Sequence, residues 1–162
     1  MPGVANLVRD SPTLSKEEVA HILFDEFHKL AQRRSRSVMR LTISIRRGAR
    51  VFLLDDDDVR IKWFLERLSS ITIAKEAPDA IAILDNYPLF EFVFLDHDLG
   101  LFTGTEGDGL QVAQHLARRG FDGHNTVIHS TNAAGASAMK ESLKSGTVAP
   151  FGQFEIETAA RE

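Results

Sequence analysis

The stretch that decides the fold is FEFVFLDHDLG, residues 90–100. Its first part, Phe90–Leu95, is the most apolar run in the chain and predicts a strand buried on both faces. Its second part changes abruptly to Asp96, His97 and Asp98, followed by a leucine and a glycine. A doubly buried strand that ends in charged groups is typical of a parallel sheet in an α/β protein, where functional residues follow the strands.

Other short apolar runs alternate with helical patterns on both sides of this stretch. This alternation predicts an α/β fold, a three-layer sandwich in which helices cover both faces of a five-stranded parallel sheet. Right-handed crossovers favour the flavodoxin-like strand order 2-1-3-4-5. The other strands are predicted at 51–54, 71–74, 126–128 and 147–149, and the helices at 58–68, 78–87, about 110–120 and 132–144.

Residues 1–48 have a different character, and we expect them to form an N-terminal helical extension before a main domain over residues 49–155. The spacing of Ser15 and Glu18 is that of a capping box, which predicts a helix over 16–33. Seven arginines and no acid lie between Arg33 and Arg50. This basic stretch is interpreted as a solvated linker, with contacts to a phosphate backbone as the alternative.

Composition restricts the classes of function. The chain has 162 residues and 43% hydrophobic residues, enough for one domain with a core plus the extension. It has no cysteine, which excludes disulfides, thiolate metal sites and a cysteine nucleophile. No apolar run approaches the roughly 18 residues of a membrane span, so we expect a cytoplasmic protein that does not cross the membrane.

Polar side chains follow three of the predicted strands, and the carboxyl ends of parallel strands meet at one edge of a sheet. Several carboxylates brought together there repel unless a cation compensates them. Oxygen ligands favour a hard ion, so we expect Mg²⁺ or Mn²⁺. The residues concerned are Asp55 and Asp56 after the first strand, Asp96, His97 and Asp98 after the third, and His129, Ser130 and Asn132 after the fourth.

These residue types allow specific roles. Asp55, Asp56 and Asp96 are the predicted metal ligands. Histidine is the residue type best suited to acid–base catalysis near neutral pH, so His97 and His129 are the predicted catalytic residues together with Asp96. The predicted phosphate-binding residues are Ser130, Asn132 and Asp98. Asp57 and Asp58 are interpreted as charges at a helix start, and Glu106 and Asp108 as loop residues.

This pattern resembles the receiver domains of two-component signalling. An acid pair (Asp55, Asp56), a strand-3 aspartate (Asp96) and a hydroxyl residue after strand 4 (Ser130) carry the resemblance. It implies Mg²⁺ binding and phosphorylation of Asp96. Receivers end strand 5 with a lysine, whereas this chain reads GTVAP over residues 146–150.

The chain is more similar to the cyclic-phosphate-processing receiver-like family. The similarity rests on LDD at 54–56, LDHDLG at 95–100 and His129, Ser130 and Asn132 with Gly135 nearby. That family is assigned to processing cyclic phosphates at nucleic-acid ends. The resemblance implies site roles for Asp55, Asp56, Asp96, His97, Asp98, His129 and Ser130.

The sequence thus leads to a hypothesis of a metal-dependent phosphoesterase, a hydrolase of cyclic or terminal phosphates. Its substrate is expected to contain phosphate, with RNA or a cyclic nucleotide as the candidates. Two alternatives remain open at this point. One is a response-regulator receiver domain phosphorylated on Asp96, and the other is a catalytically silent receiver-like module.

Overall fold

The computed structural model describes residues 40–86, 90–100, 108–121 and 123–159. Arg40–Glu162 form one compact unit. The predicted helix over 16–33 lies outside the described residues, as do the first three arginines of the basic stretch and Glu106. In the described part of the chain, no helix has the length and apolar character needed to cross a membrane.

Five parallel strands form the central sheet, in the order β3-β2-β4-β5-β6. When the five strands of this sheet alone are numbered 1 to 5 along the chain, their order is the predicted 2-1-3-4-5. The α/β flavodoxin-like prediction is confirmed. The strands are two to four residues long. They are β2 (Val51–Leu54), β3 (Ile71–Ala74), β4 (Phe92–Leu95), β5 (Thr126–Ile128) and β6 (Thr147–Val148).

Four helices connect these strands, close to where their periodicity predicts them. They are α1 (Asp58–Leu65), α2 (Ala77–Asn86), α3 (Gly109–Arg118) and α4 (Ala133–Leu143). The helix α1 begins after Asp57, whose carboxylate accepts hydrogen bonds from the backbone N–H groups of Val59 and Arg60. Asp57 is therefore an N-cap, as the sequence predicts.

The sheet buries a hydrophobic core on each face, because successive strand residues point to opposite sides. Phe52 and Leu54 belong to the core that α2, α3 and α4 cover. Val51 and Leu53 belong to the other core, which lies under α1. Every residue of β2 is buried, which explains why the strand reads as an uninterrupted apolar run.

A second, two-stranded parallel sheet completes the covering of the α1 face. It pairs β1 (Leu41–Arg46) with β7 (Phe154–Ala159). Ile43, Ile45 and Phe154 are buried in the same core as α1. The prediction assigned Leu41–Arg46 to the extension, whereas the structure packs this strand with the domain. The strand β7 was not predicted, and it follows β6 where a receiver would place its last helix.

Candidate functional site

Three strand ends lie side by side at the carboxyl edge of the sheet. Asp55 follows β2, Asp96 follows the neighbouring β4, and His129 follows β5 on the other side of β4. The sheet pairing continues one residue into this edge, since the Asp96 N–H donates to the Leu54 carbonyl at 2.9 Å and the His129 N–H to the Leu95 carbonyl at 2.9 Å. The backbone thus fixes all three side chains next to one another.

Asp55, Asp96 and His129 form one buried group whose potential ligand atoms all lie within 4.8 Å of one another. Their exposed fractions are 0%, 4% and 1%. The His129 Nε2 atom lies 2.9 Å from Asp55 Oδ2. The expectation that the strand-1 and strand-3 aspartates share one pocket agrees with this geometry.

Arg60 supplies the positive charge in this pocket, a role that the sequence analysis missed. Its Nε donates to Asp55 at 2.9 Å, and its Nη2 donates to Asp55 Oδ1 at 2.8 Å and to Asp96 Oδ2 at 2.6 Å. Arg60 lies in the first turn of α1, and helical periodicity predicts only that its charged side chain is exposed there. Asp55 lies before the helix, so no helical spacing rule connects it with Arg60, and the local sequence carries no signal for this contact.

These contacts determine the charge of the pocket. Burial raises the pKa of Asp55, but hydrogen bonds from His129 and Arg60 lower it more, so the net pKa is below its ordinary value. The hydrogen bonds with Asp55 raise the pKa of Arg60 above its already high value. Asp55 and Arg60 are therefore a carboxylate and a guanidinium at neutral pH.

Asp56 lies at the rim of this group and is not one of its three members. Its side chain is 31% exposed, and its Oδ1 lies 3.8 Å from Arg60 Nη2. Its Oδ2 accepts a hydrogen bond of 2.7 Å from the Gly100 N–H, which ties the end of β2 to the loop after β4. Asp56 as a direct metal ligand stays a prediction.

His97 belongs to a second polar group beside the first. Its Nδ1 lies 2.7 Å from Asp98 Oδ1, which also accepts a hydrogen bond of 3.0 Å from the Asn132 side chain. The Nε2 atom lies 3.7 Å from Asp108 Oδ2. The hydrogen bond with His97, followed by that with Asn132, lowers the pKa of Asp98.

Two glycines allow this second group to form. A Cβ atom on Gly135 would stand 2.4 Å from the His97 ring, so only glycine lets α4 approach the imidazole this closely. A Cβ on Gly109 would stand 1.9 Å from the Asp96 carbonyl oxygen, so α3 can begin against the end of β4 only at a glycine. Gly135 was noted in the sequence, and Gly109 was not.

His129 is held in the interior rather than facing a substrate. Its side chain is 0% exposed and packs at 5.6 Å, between ring centroids, against Phe64. Its Nδ1 is buried and has no hydrogen-bond partner among the described residues. In a neutral ring whose Nε2 donates to the Asp55 carboxylate, Nδ1 would be an acceptor without a partner among the described residues. This geometry suits a residue that orients Asp55.

The remaining predicted residues are engaged in local structure. Ser130 is buried, and its Oγ accepts a hydrogen bond of 3.2 Å from the Asn132 N–H. Asn132 is the N-cap of α4, accepting from the Gly135 N–H at 3.0 Å. The start of α4 therefore lies next to the His97 group, and the amide groups at a helix start favour an anion.

The donor set fits a divalent cation through its carboxylates. Asp55 and Asp96 present oxygens of the kind that Mg²⁺ and Mn²⁺ prefer. Ligation through His129 Nε2 would move the ring proton to Nδ1, which has no acceptor among the described residues. An unpaired buried donor costs about 1–3 kcal/mol, so the two carboxylates are the better ligands.

The match to a family model agrees with this architecture. Residues 50–145 match the family described as the cyclic-phosphate processing receiver domain. The receiver domain of the Francisella response regulator 1452 is similar in fold, with 17% identity over 68% of this chain and 84% of that chain, at a TM-score of 0.46. A mutant receiver domain of the histidine kinase CKI1 from Arabidopsis thaliana shows 14% identity over 68% and 81%, at 0.44. A search of curated proteins found no match.

Proposed function

Because the chain belongs to the cyclic-phosphate-processing receiver family, which its residues 50–145 match, we propose that it is a metal-dependent phosphoesterase acting on a cyclic or terminal phosphate. The observation that carries the proposal is the pairing of two polar groups at one sheet edge. One is the buried group of Asp55, Asp96 and His129, and the other is the His97 imidazole held by Asp98. The metal-dependent phosphoesterase proposed here uses both a cation site and a base, and a simple phospho-acceptor needs no histidine.

Asp55 and Asp96 would hold the cation, and His129 would keep the Asp55 carboxylate in the orientation this requires. A bound Mg²⁺ or Mn²⁺ would neutralise charge that develops on the phosphate oxygens. His129 is fully buried, so we assign it this positioning role in place of the acid–base role predicted from the sequence.

His97 is the better acid–base residue. Asp98 accepts from Nδ1, which leaves Nε2 as the basic nitrogen, following the logic of a carboxylate–imidazole pair. Nε2 would take a proton from the attacking water as the new P–O bond forms. The same proton would pass to the ester oxygen that leaves as the old P–O bond breaks, so a cyclic phosphate and one water give one phosphomonoester.

Asn132 and the α4 amides would bind the phosphate beside His97. We propose an RNA end as the substrate class, since the chain also carries the arginine-rich stretch from Arg33 to Arg50. Arg46 and Arg50 lie beside Glu91 at the amino edge of the sheet, so they would contact nucleotides distant from the reacting phosphate. Contacts of those arginines with the RNA backbone would make activity on an oligonucleotide fall more steeply with salt than activity on a cyclic mononucleotide.

The direct test is hydrolysis of a 2′,3′-cyclic nucleotide with Mg²⁺, Mn²⁺, Ca²⁺ or Zn²⁺, comparing wild type with His97→Gln. We expect metal-dependent turnover that the substitution lowers by about 100-fold or more. His115→Gln is a matched control, because His115 also pairs with an aspartate and its side chain is 16% exposed, against 15% for His97. Absence of turnover with all four ions would remove the proposal.

A receiver domain phosphorylated on Asp96 is the second candidate. Asp96 lies at the end of β4 beside Asp55, which is the place of a phospho-acceptor in the receiver fold. This candidate predicts an acid-labile phosphoryl group on Asp96 after incubation with a small phosphodonor and Mg²⁺, abolished by Asp96→Asn. It also predicts that His97→Gln leaves the phosphorylation unchanged, which distinguishes it from the phosphoesterase.

A further inference from the structure

The Arg60 guanidinium occupies the place where a cation would sit. Its Nη2 lies between Asp55 Oδ1, at 2.8 Å, and Asp96 Oδ2, at 2.6 Å. We infer that Arg60 is a built-in counter-cation, and that a divalent metal must displace it from the Asp55–Asp96 pocket to bind. This inference rests on the cation site of the proposed function and adds a control on its affinity.

Arg60 and a metal would compete for these oxygens. Asp55 Oδ1 already accepts from Arg60 Nε, from Arg60 Nη2 and from the Asp57 N–H, so it has no lone pair left for a metal while Arg60 stays in place. A guanidinium left in place would also repel the metal ion at short range. This repulsion is strong because the carboxylates of the pocket are buried away from water. Binding of the metal and release of the arginine are therefore one exchange of cations.

The structure also offers Arg60 a place to go. Asp56 Oδ1 lies 3.8 Å from Nη2, and Asp57 Oδ2 lies 3.9 Å from Nη1. Both acids stand on the solvent side, with side chains 31% and 43% exposed, whereas Asp55 is fully buried. A short rotation would exchange buried partners for rim partners without leaving the guanidinium unpaired.

Arg60 is also the most exposed member of the pocket. Its side chain is 25% exposed, against 0% for Asp55 and His129. Solvent therefore reaches the guanidinium more readily than the carboxylates behind it. The apparent association constant for the metal is then the intrinsic constant multiplied by the fraction of molecules in which Arg60 has swung out.

The test is the affinity of the full chain for Mn²⁺ and Mg²⁺, measured by isothermal titration calorimetry on wild type and Arg60→Met. Methionine keeps much of the side-chain length without the charge. If the swung-out form is about one-tenth of the molecules or less, Arg60→Met binds metal at least about tenfold more tightly. Thermal denaturation with and without metal gives a second readout, in which metal raises the midpoint of Arg60→Met more than that of wild type.

Arg67→Met is the charge-matched control. Arg67 follows α1, and its guanidinium lies 4.1 Å from the Trp63 ring centroid and donates to the Trp63 carbonyl. Its removal changes the net charge equally, and the metal affinity should stay at the wild-type value. If Arg60→Met does not fold without metal, Arg60→Lys takes its place, because a single ammonium bridges the two carboxylates less well and should give an intermediate gain.

Equal or weaker metal binding by the Arg60 variants, or the same gain in Arg67→Met, would overturn the inference. So would the absence of metal binding by both wild type and the Arg60 variants, since Arg60 would then be a permanent ion-pair partner. The test separates the inference from the proposed function. Tighter metal binding by Arg60→Met without hydrolysis would support the inference and exclude the phosphoesterase. Hydrolysis with equal metal affinities in wild type and Arg60→Met would support the phosphoesterase and overturn the inference.

Discussion

Gly135→Ala should disable the His97 group while leaving the fold nearly as stable as before. The added Cβ would stand 2.4 Å from ring carbons of His97, against an ordinary contact distance of 3.4 Å or more. The imidazole must therefore retreat by about 1 Å or rotate, because the helix backbone of α4 is held by its N-cap. Either movement breaks the 2.7 Å contact between His97 Nδ1 and Asp98 Oδ1.

The two effects on stability have opposite signs. Losing one partly exposed side-chain hydrogen bond costs about 1 kcal/mol, and replacing glycine by alanine in a helix returns about 0.5–1 kcal/mol. The free energy of unfolding, measured with urea, should thus change by less than about 1 kcal/mol. Turnover should fall by roughly 100-fold, which is the cost of misplacing a reacting group by about 1 Å.

Asp98 reports the movement without any assay of activity. His97 is the main cause of the lowered pKa of Asp98, so loss of their contact should raise that pKa toward its ordinary value. A carboxyl group with a depressed pKa stabilises the fold above its unfolded pKa and loses this contribution as pH falls through the folded one. Gly135→Ala should therefore remove part of the acid-side pH dependence of stability.

Gly146→Ala is the control, because its Cβ would meet Ile128 at 3.4 Å and no residue of the site. For Gly146→Ala we expect the turnover of wild type and the same Asp98 pKa as in wild type, with the Asp98 titration measured by NMR. An unchanged Asp98 pKa in Gly135→Ala, together with full activity, would refute the claim that this glycine positions His97.

Two further predictions concern the scaffold. Asp57→Ala should lower the free energy of urea unfolding by about 1 kcal/mol, because it removes the N-cap of α1; a change below a few tenths would contradict the capping role. Phe94→Ala should cost about 3–5 kcal/mol in the same measurement, since Phe94 is fully buried under β7 and α1; a loss under 1 kcal/mol would show that its core can close the cavity.

The central sheet was predictable because its strands are buried on both faces. A run such as Val51–Leu54 has no polar residue to blur its limits, and the crossover rule leaves few orders for five such strands. The meeting of Asp55 and Asp96 followed from the same rule, since both come directly after parallel strands. At these positions the local sequence pattern and the sheet topology predict the same arrangement.

The rest depends on contacts that the local sequence does not encode. Leu41–Arg46 alternates apolar and polar residues, so its sequence allows a short strand, but its parallel partner Phe154–Ala159 lies more than a hundred residues away along the chain, and local pattern cannot predict that pairing. Arg60 has the sequence environment of an ordinary exposed helix residue, and only the packed structure turns its guanidinium into the pocket. His129 was recognised as a site residue, but its burial, which decides its role, comes from packing against Phe64 of α1.

The most direct test of the central claim is anomalous diffraction from crystals of the full chain grown with Mn²⁺. We predict a manganese peak bound by carboxylate oxygens of Asp55 and Asp96, with the Arg60 guanidinium turned toward Asp56 and Asp57. A map without such a peak, in which Arg60 still bridges the two buried aspartates at an Mn²⁺ concentration that supports hydrolysis, would contradict the account.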